Sequence, residues 1–301
     1  MSVQAESGVR TPPNICARFT LSPEERRSRS ARAAAEKALV RIAHHYGERP
    51  SFVLLGGLVP DLLCSQSAVR HLGTTDVDVQ VDLEIAAGAA NTKRLERALL
   101  NAEFHPDSAR VWRWRSADEG VRTVVKFELL ADLDDLPAHQ EVRFDDCENL
   151  GAINLKGTGF ASRDVEEVEL TAMVGEDLRR VKIQVTGIAG FLLAKTAAAR
   201  SRRLPKDWYD IAYVLRHNDL GGPAAAADFV IARFPDDLTG AVLTSLLELE
   251  ANFSRPGDQG PAGYAAQMGD MNRALDAPQL RAEAVTVVST FLERLRERGA
   301  I

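Results

Sequence analysis

Between Asp76 and Leu83 the chain alternates without a break. Asp76, Asp78, Gln80 and Asp82 fall at one parity, and Val77, Val79, Val81 and Leu83 at the other. A period of two marks a β-strand with one face buried. Such a strand belongs in a sheet covered on one side and open on the other. Its open side carries Asp76 and Asp78 two residues apart, aimed at one point in space. Like charges that close are unfavourable unless a proton or a cation lies between them. Just upstream, an apolar strand-like run over 51–55 stops at Gly56-Gly57, and a short helix-like segment follows. A glycine pair leaves bare backbone that a phosphate can approach closely, here at a helix N-terminus. Mg²⁺ prefers one or two carboxylates together with substrate phosphates. The order of these elements therefore suggests nucleotide chemistry, and it is more specific than a lone Gly pair or a lone Asp-x-Asp. Thr74 and Thr75 precede the acids and are placed to hold the loop through side-chain hydrogen bonds.

The rest of the chain divides by texture. Residues 1–21 are polar and Pro-containing and read as a loose arm. Ser22-Pro23-Glu24-Glu25 reads as the start of a helix running to about His45. A helix is expected over 91–103 and strands over 109–115, 121–130, 141–144, 165–173 and 179–185. After Thr186 strand patterns stop, and helices are expected over 187–201, 205–217, 222–233, 236–251 and 275–298, with 254–261 as a loop. A domain boundary is placed near residue 186, giving domains at 22–186 and 187–301. With 301 residues, 45% of them hydrophobic, the chain has material for two domains with a real core. A net charge of −6 argues against a surface coated in basic residues and leaves room for local basic patches. Cys16, Cys64 and Cys147 form no CxxC pair, which reads as a reducing compartment without a zinc site. No apolar run approaches the ~18 residues needed to span a bilayer, and no signal-peptide core is present. The expectation is a cytosolic protein with no membrane partner.

Two further elements carry chemistry. Glu128 alternates with Phe127 and Leu129 and so points to the face opposite theirs. On a neighbouring strand it would complete a metal triad with Asp76 and Asp78, or act as base on an attacking hydroxyl; the plainer reading is an exposed strand Glu paired with Lys126. The second element is Lys195 to Asp210. Lys195 and Arg202, at i and i+7, share a helix face, and Lys195 follows an apolar run that brings its ammonium to an inter-domain surface. Pro205 starts the next helix, on which Lys206 is expected to pair with Asp210. The plainer reading is a salt-bridged helical hairpin.

Taken together, LLGGLVPDLL, HLGTTDVDV, KFELL and KTAAARSRRLPKDWYDIAYVL resemble the nucleotidyltransferase superfamily with the polymerase-β-like fold. They are most similar to the AbiEii/AbiGii toxin family, which includes the MenT toxins. The resemblance covers roughly residues 50 to 217. It implies an α/β (α+β), bi-lobed molecule: an N-terminal nucleotidyltransferase lobe with a mixed sheet, a C-terminal helical lobe, and the site between them. It implies Mg²⁺ (or Mn²⁺) on Asp76 and Asp78, with Glu128 the candidate third metal ligand, and an NTP triphosphate along Gly56 and Gly57 and steadied by Lys195. Asp210 would be an essential acid in the cleft. Arg70 and Thr75 are further candidates at the nucleotide, with His71 beside Arg70 placed either to touch a phosphate or to shape its loop. Some members of the family add nucleotides to the 3′ end of tRNA and are neutralised by a cognate antitoxin; the leading reading is therefore a toxin that transfers a nucleotide, a pyrimidine favoured, to tRNA. Arg200, Arg202, Arg203 and Lys206, together with the basic first helix, are candidate RNA contacts. Trp112 and Trp114 alternate with Arg113 and Arg115; they offer stacking platforms, although a core role fits them better. Three departures stand out: Gly57 where many members have Ser, a long segment from Gly57 to Asp76, and Glu128 in place of Asp. The alternatives are a nucleotidyltransferase acting on a small-molecule or protein hydroxyl, and a nucleotide-binding member of the fold without turnover.

Overall fold

The computed structural model describes residues 28–47, 50–74, 76–80, 89–117, 124–272 and 274–301. The arm at 1–21, the helix start at 22–25, Arg26, Arg27, Thr75, the strand end at 81–83 and residues 121–123 lie outside the described residues. The first helix, α1 (Arg29–Tyr46), is capped at Ser28, whose side chain accepts from the Ala31 amide. It buries Ala35, Ala38, Leu39, Ile42 and Ala43 along one face. Strand β1 (Val53–Leu55) runs into a 3₁₀ turn at Gly56–Leu58 and the short helix α2 (Val59–Leu63). Strand β2 (Asp76–Gln80) follows, then α3 (Ala89–Asn101).

The remaining strands are β3 (His105–Asp107), β4 (Arg110–Ala117), β5 (Val124–Ala131), β6 (Glu141–Arg143), β7 (Gly151–Asn154), β8 (Val165–Val174) and β9 (Asp177–Thr186). They form one mixed sheet in the order β3-β4-β5-β2-β1-β9-β8, with β7 also pairing β5, and β6 pairing β7. Pairs β1/β9, β2/β5 and β5/β7 are parallel and the others antiparallel. The alternation expected of β2 and β5 holds. Val77, Val79, Phe127 and Leu129 are all fully buried in the main core with Leu54, Phe52 and the apolar face of α1. The opposite face of β1 and β5 carries a small second cluster of Leu55, Leu130, Ile153 and Ala161, against which Trp112 leans. Trp114 instead is fully buried in the main core, so the two tryptophans separate where the sequence placed them together.

A four-residue helix, α4 (Phe160–Arg163), precedes β8. After Thr186 the described chain is helical: α5 (Ile188–Arg202), α6 (Pro205–His217), α7 (Pro223–Arg233), α8 (Gly240–Asn252), α9 (Gln259–Met271) and α10 (Ala277–Glu297). Helix α5 begins at Gly187, which has no side chain to cap it. Asp164 supplies the acceptor from outside, taking the Gly190 amide at 2.9 Å. Helix α9 corrects the expected loop at 254–261. Its Pro261 sits in the first turn, where a missing N–H costs nothing. Gly260 is a packing glycine, because an added Cβ would lie 2.3 Å from the Phe253 ring. These two residues read as loop signals and serve as helix residues. Strand β7, fully buried but only four residues long, offered no alternation to find.

Candidate active site

The sheet register assembles a row of side chains. Leu55 opposes Asp78, Asp78 opposes Glu128, and Glu128 opposes Arg113, across the neighbouring strands β1, β2, β5 and β4. The sheet thus brings Asp78 and Glu128 side by side, and places Lys126 opposite Asp76. Gly56 closes the other end of the row. Its φ of 78° is a conformation L-residues disfavour, and an added Cβ would lie 2.0 Å from Asp78 Oδ2. The turn after β1 therefore requires glycine for two independent reasons, its own backbone conformation and the close approach of Asp78. Gly57 faces Thr74 instead, with 2.9 Å from an ideal Cβ to the Thr74 Cβ. Thr74 Oγ1 accepts the Asp76 amide at 3.0 Å, which fixes the loop entering β2.

Crowding of carboxylates has electrostatic consequences. Burial raises the Asp78 pKa, and the nearby Asp76 raises it further; Lys206, Lys195 and Arg202 pull against that shift. Glu128 is pushed up to about 7, mainly by burial and then by Asp78. The Arg113 guanidinium opposes this, holding Glu128 through Nε at 2.6 Å and Nη2 at 2.5 Å. The expected partner Lys126 lies instead 3.7 Å from Asp76, and Lys206 lies 3.9 Å from the other Asp76 oxygen. The expected Lys206–Asp210 pair is therefore corrected: Lys206 reaches across to the sheet.

Asp78, Glu128 and Gly56 open onto a cavity of about 1280 Å³. Its opposite wall is α5, which contributes Lys195, Arg200 and Arg202. Lys195 is 8% exposed and its ammonium bridges two carboxylates, Asp207 at 3.0 Å and Asp210 at 2.9 Å. Arg202 also meets Asp207, at 2.9 Å, so the shared helix face expected of Lys195 and Arg202 is realised. Burial disfavours the Lys195 ammonium, yet Asp210 and Asp207 more than offset this and its pKa is raised. Burial likewise disfavours the Asp207 carboxylate, but Lys195 and Arg202 hold its pKa below the usual range. The salt-bridged hairpin and the cavity wall are thus the same structure. Sequence reasoning missed Asp207 and Arg113 as parts of the site. Asp207 was visible as the i, i+3 neighbour of Asp210, whereas the Arg113–Glu128 contact depends on strand pairing.

Other candidates sit elsewhere. Arg70 is exposed, at 3.5 Å from the Ser65 carbonyl, and is not among the residues lining the cavity. Arg203 ends α5 in a left-handed conformation and pairs with Glu248. Thr75 lies outside the described residues. On α1, Arg32 pairs with Glu36 and Asp61, and Arg41 with Glu103. Among the described residues, the long segment from Gly57 to Asp76 does not line the cavity; it grips α6 and the turn that follows it. Asp219 accepts from the Ser65 and Gln66 amides, Tyr209 from the Leu72 amide, and the Tyr213 hydroxyl donates to the Val69 carbonyl.

Among the described residues, no group of three or more His, Cys, Asp and Glu side chains is arranged as placed to hold a metal ion. The donor set is nonetheless the oxygen-only kind that Mg²⁺ prefers. The raised pKa values of Asp78 and Glu128 mark a point where positive charge is wanted. No described helix is long and apolar enough to cross a membrane.

The family model described as "Nucleotidyl transferase AbiEii toxin, Type IV TA system" matches residues 151–287. That span starts at β7 and contains Lys195, Arg202, Asp207 and Asp210, while the glycine turn, the Asp pair and Glu128 lie before it. No curated protein and no solved structure matches the chain. Over residues 151–287, a little under half of its length, the chain is similar to the nucleotidyl transferase AbiEii toxin family.

Proposed function

We propose that this chain is the nucleotidyltransferase toxin of a toxin–antitoxin pair. It transfers a nucleoside monophosphate from an NTP, pyrimidines favoured, to the 3′ end of tRNA in the cytoplasm, with Mg²⁺ or Mn²⁺ as cofactor. In this reading residues 22–186 form a polymerase-β-like lobe, residues 187–301 a helical lobe, and the site lies between them. The observation that carries it is the facing of two walls across one cavity: Asp78 and Glu128 in register on β2 and β5, and Lys195 with Arg202 on α5. Carboxylates opposite cations across a nucleotide-sized space suit a group transfer that is mostly positioning and charge neutralisation.

Asp76, Asp78 and Glu128 would hold the divalent cation. When bound, that cation lowers the pKa of the attacking hydroxyl and neutralises charge on the departing pyrophosphate. This chain's own residues do the rest. Gly56 keeps the backbone thin beside Asp78, so the triphosphate can approach. Without the cation Glu128 keeps a proton up to about 7 next to Asp78, and binding the cation would displace that proton. Arg113 holds its carboxylate in place. Lys195 has three N–H donors, of which two meet Asp207 and Asp210, leaving one for a phosphate oxygen. Arg200 and Arg202 line the same cavity and would meet acceptor phosphates.

The test is a screen of four α-labelled NTPs against purified tRNA, total RNA and the protein itself. Label at the tRNA 3′ end from CTP or UTP is the expected result. Label confined to protein or small molecules would move the acceptor to the alternative class. Absence of both label transfer and pyrophosphate release would overturn the enzymatic reading.

A further inference from the structure

His71 lies outside the cavity lining, yet it connects directly to the wall. It is 1% exposed. Its ring stacks on Tyr209, with centroids 4.9 Å apart, and meets the edge of Tyr213 at 5.0 Å. Nε2 lies 2.9 Å from Asp210 Oδ1. On the other side of the ring, the Gly73 amide donates to Nδ1 at 3.2 Å. An amide N–H can only donate, so Nδ1 must present a lone pair. The ring proton then resides on Nε2 and is donated to Asp210. The His71 amide is itself tied to Asp61 Oδ1 at 2.8 Å. Asp210, with its first oxygen held this way, uses the second to bind Lys195 at 2.9 Å. A continuous chain therefore runs from the Gly73 backbone through the imidazole and carboxylate to the ammonium at the cavity wall.

We propose that His71 is a positioning residue, whose Nε2–H fixes the Asp210 carboxylate so that Lys195 is presented to the cavity opposite Asp78. The inference rests on the nucleotidyltransferase reading and deepens it. Residues 71–74 lead straight into β2, so this one ring joins the loop that sets Asp76 to the helix that sets Lys195. The long segment before Asp76 thereby gains a task. It keeps the two walls in register, with His71 as the joint. Without the Nε2 donor, Asp210 loses one of its fixed partners and is held less firmly against Lys195. Lys195 then falls back on Asp207.

Two variants of the full chain separate the donor from the ring. His71→Phe keeps an aromatic ring between Tyr209 and Tyr213 and removes the donor. His71→Gln removes the ring and restores an N–H at similar reach. With both variants folded by circular dichroism, His71→Phe should lower kcat for NTP-dependent transfer by ~10–100-fold with KM for NTP changed less than about threefold. His71→Gln should return kcat to within about threefold of the parent. A His71→Phe protein with parental kcat would overturn the proposal, as would a His71→Gln protein as slow as His71→Phe. A readout independent of activity is trace acetylation of Lys195 followed by mass spectrometry. Lys195 should label about tenfold faster in His71→Phe and at the parental rate in His71→Gln. Equal labelling in all three proteins overturns the positioning role. Should the parent protein show no transfer at all, the functional reading fails, and the labelling series still decides whether His71 holds the wall.

Discussion

Replacing Gly56 with alanine tests how the site is built without altering a charge. The residue sits at φ 78°, and the new Cβ would lie 2.0 Å from Asp78 Oδ2, 2.8 Å from its Cγ and 2.9 Å from its Cβ. A left-handed backbone costs an L-residue about 1–2 kcal/mol. Rotating the carboxylate cannot relieve the overlap, because Asp78 Cβ is itself in the way. Displacing packed groups adds about 1–3 kcal/mol. The total of about 2–5 kcal/mol is a large part of the ~5–15 kcal/mol that holds a protein folded. At ~2–4 °C per kcal/mol for large domains, Tm should fall by roughly 4–20 °C in a calorimetric scan. Gly175→Ala is the control: its φ is 62° with nothing within 4 Å of the new Cβ, so it reports the backbone cost alone. Asp78→Ala in the Gly56→Ala background removes the two nearest side-chain atoms. The double-mutant cycle should therefore show coupling of about 1–2 kcal/mol. The reasoning is refuted if Gly56→Ala costs no more than Gly175→Ala, or if the cycle is additive within about 0.5 kcal/mol.

The stability of the metal-free protein should also depend on the pH around Glu128. Its carboxyl keeps a proton up to about 7 in the folded chain, against an ordinary 4.5. Between these values the folded state binds more protons, so stability falls as pH rises through the window and levels off above it. Denaturant melts in chelating buffer should show this fall, and it should be smaller in Glu128→Gln; identical pH profiles for the two proteins would contradict the placement of Glu128 beside Asp78. Lys195→Met leaves Asp207 and Asp210, both fully buried, short of a cation and should cost ~3–5 kcal/mol. Arg296→Ala at the exposed Glu250 pair should cost less than ~1 kcal/mol in the same urea titration. Equal losses would mean that the buried network contributes nothing special.

Much of this was legible in the sequence because it lies in local periodicity. The alternation of β2 and β5 put Asp78 and Glu128 on the face opposite Val77, Val79, Phe127 and Leu129, and the folded chain keeps them there. The spacing of Lys195 and Arg202 likewise gave a shared face, realised at Asp207. What stayed hidden depends on pairing between distant segments. Nothing local to Glu128 names Arg113 as its partner, since the contact exists only in the β4/β5 register. Nothing near Asp210 points to His71, 139 residues earlier. Lys206 was assigned by helical spacing to Asp210, but a buried ammonium from α5 already occupies that carboxylate, and Lys206 turns to Asp76. Glycine and proline misled at α9, where Pro261 opens a helix and Gly260 admits a phenylalanine ring. Residue types with two structural uses are decided by packing.

The central claim is that the Asp76/Asp78 face and the Lys195 wall together perform metal-dependent nucleotidyl transfer. The most direct measurement is the rate of α-labelled CTP or UTP incorporation into tRNA by the parent, Asp78→Ala and Lys195→Ala proteins across a Mg²⁺ titration. The parent should show Mg²⁺-dependent label at the tRNA 3′ end with release of pyrophosphate, and each variant should lose at least ~10²-fold in rate while remaining folded. Undiminished transfer by a folded Asp78→Ala protein, or transfer by the parent that persists unchanged in chelator, would contradict the account.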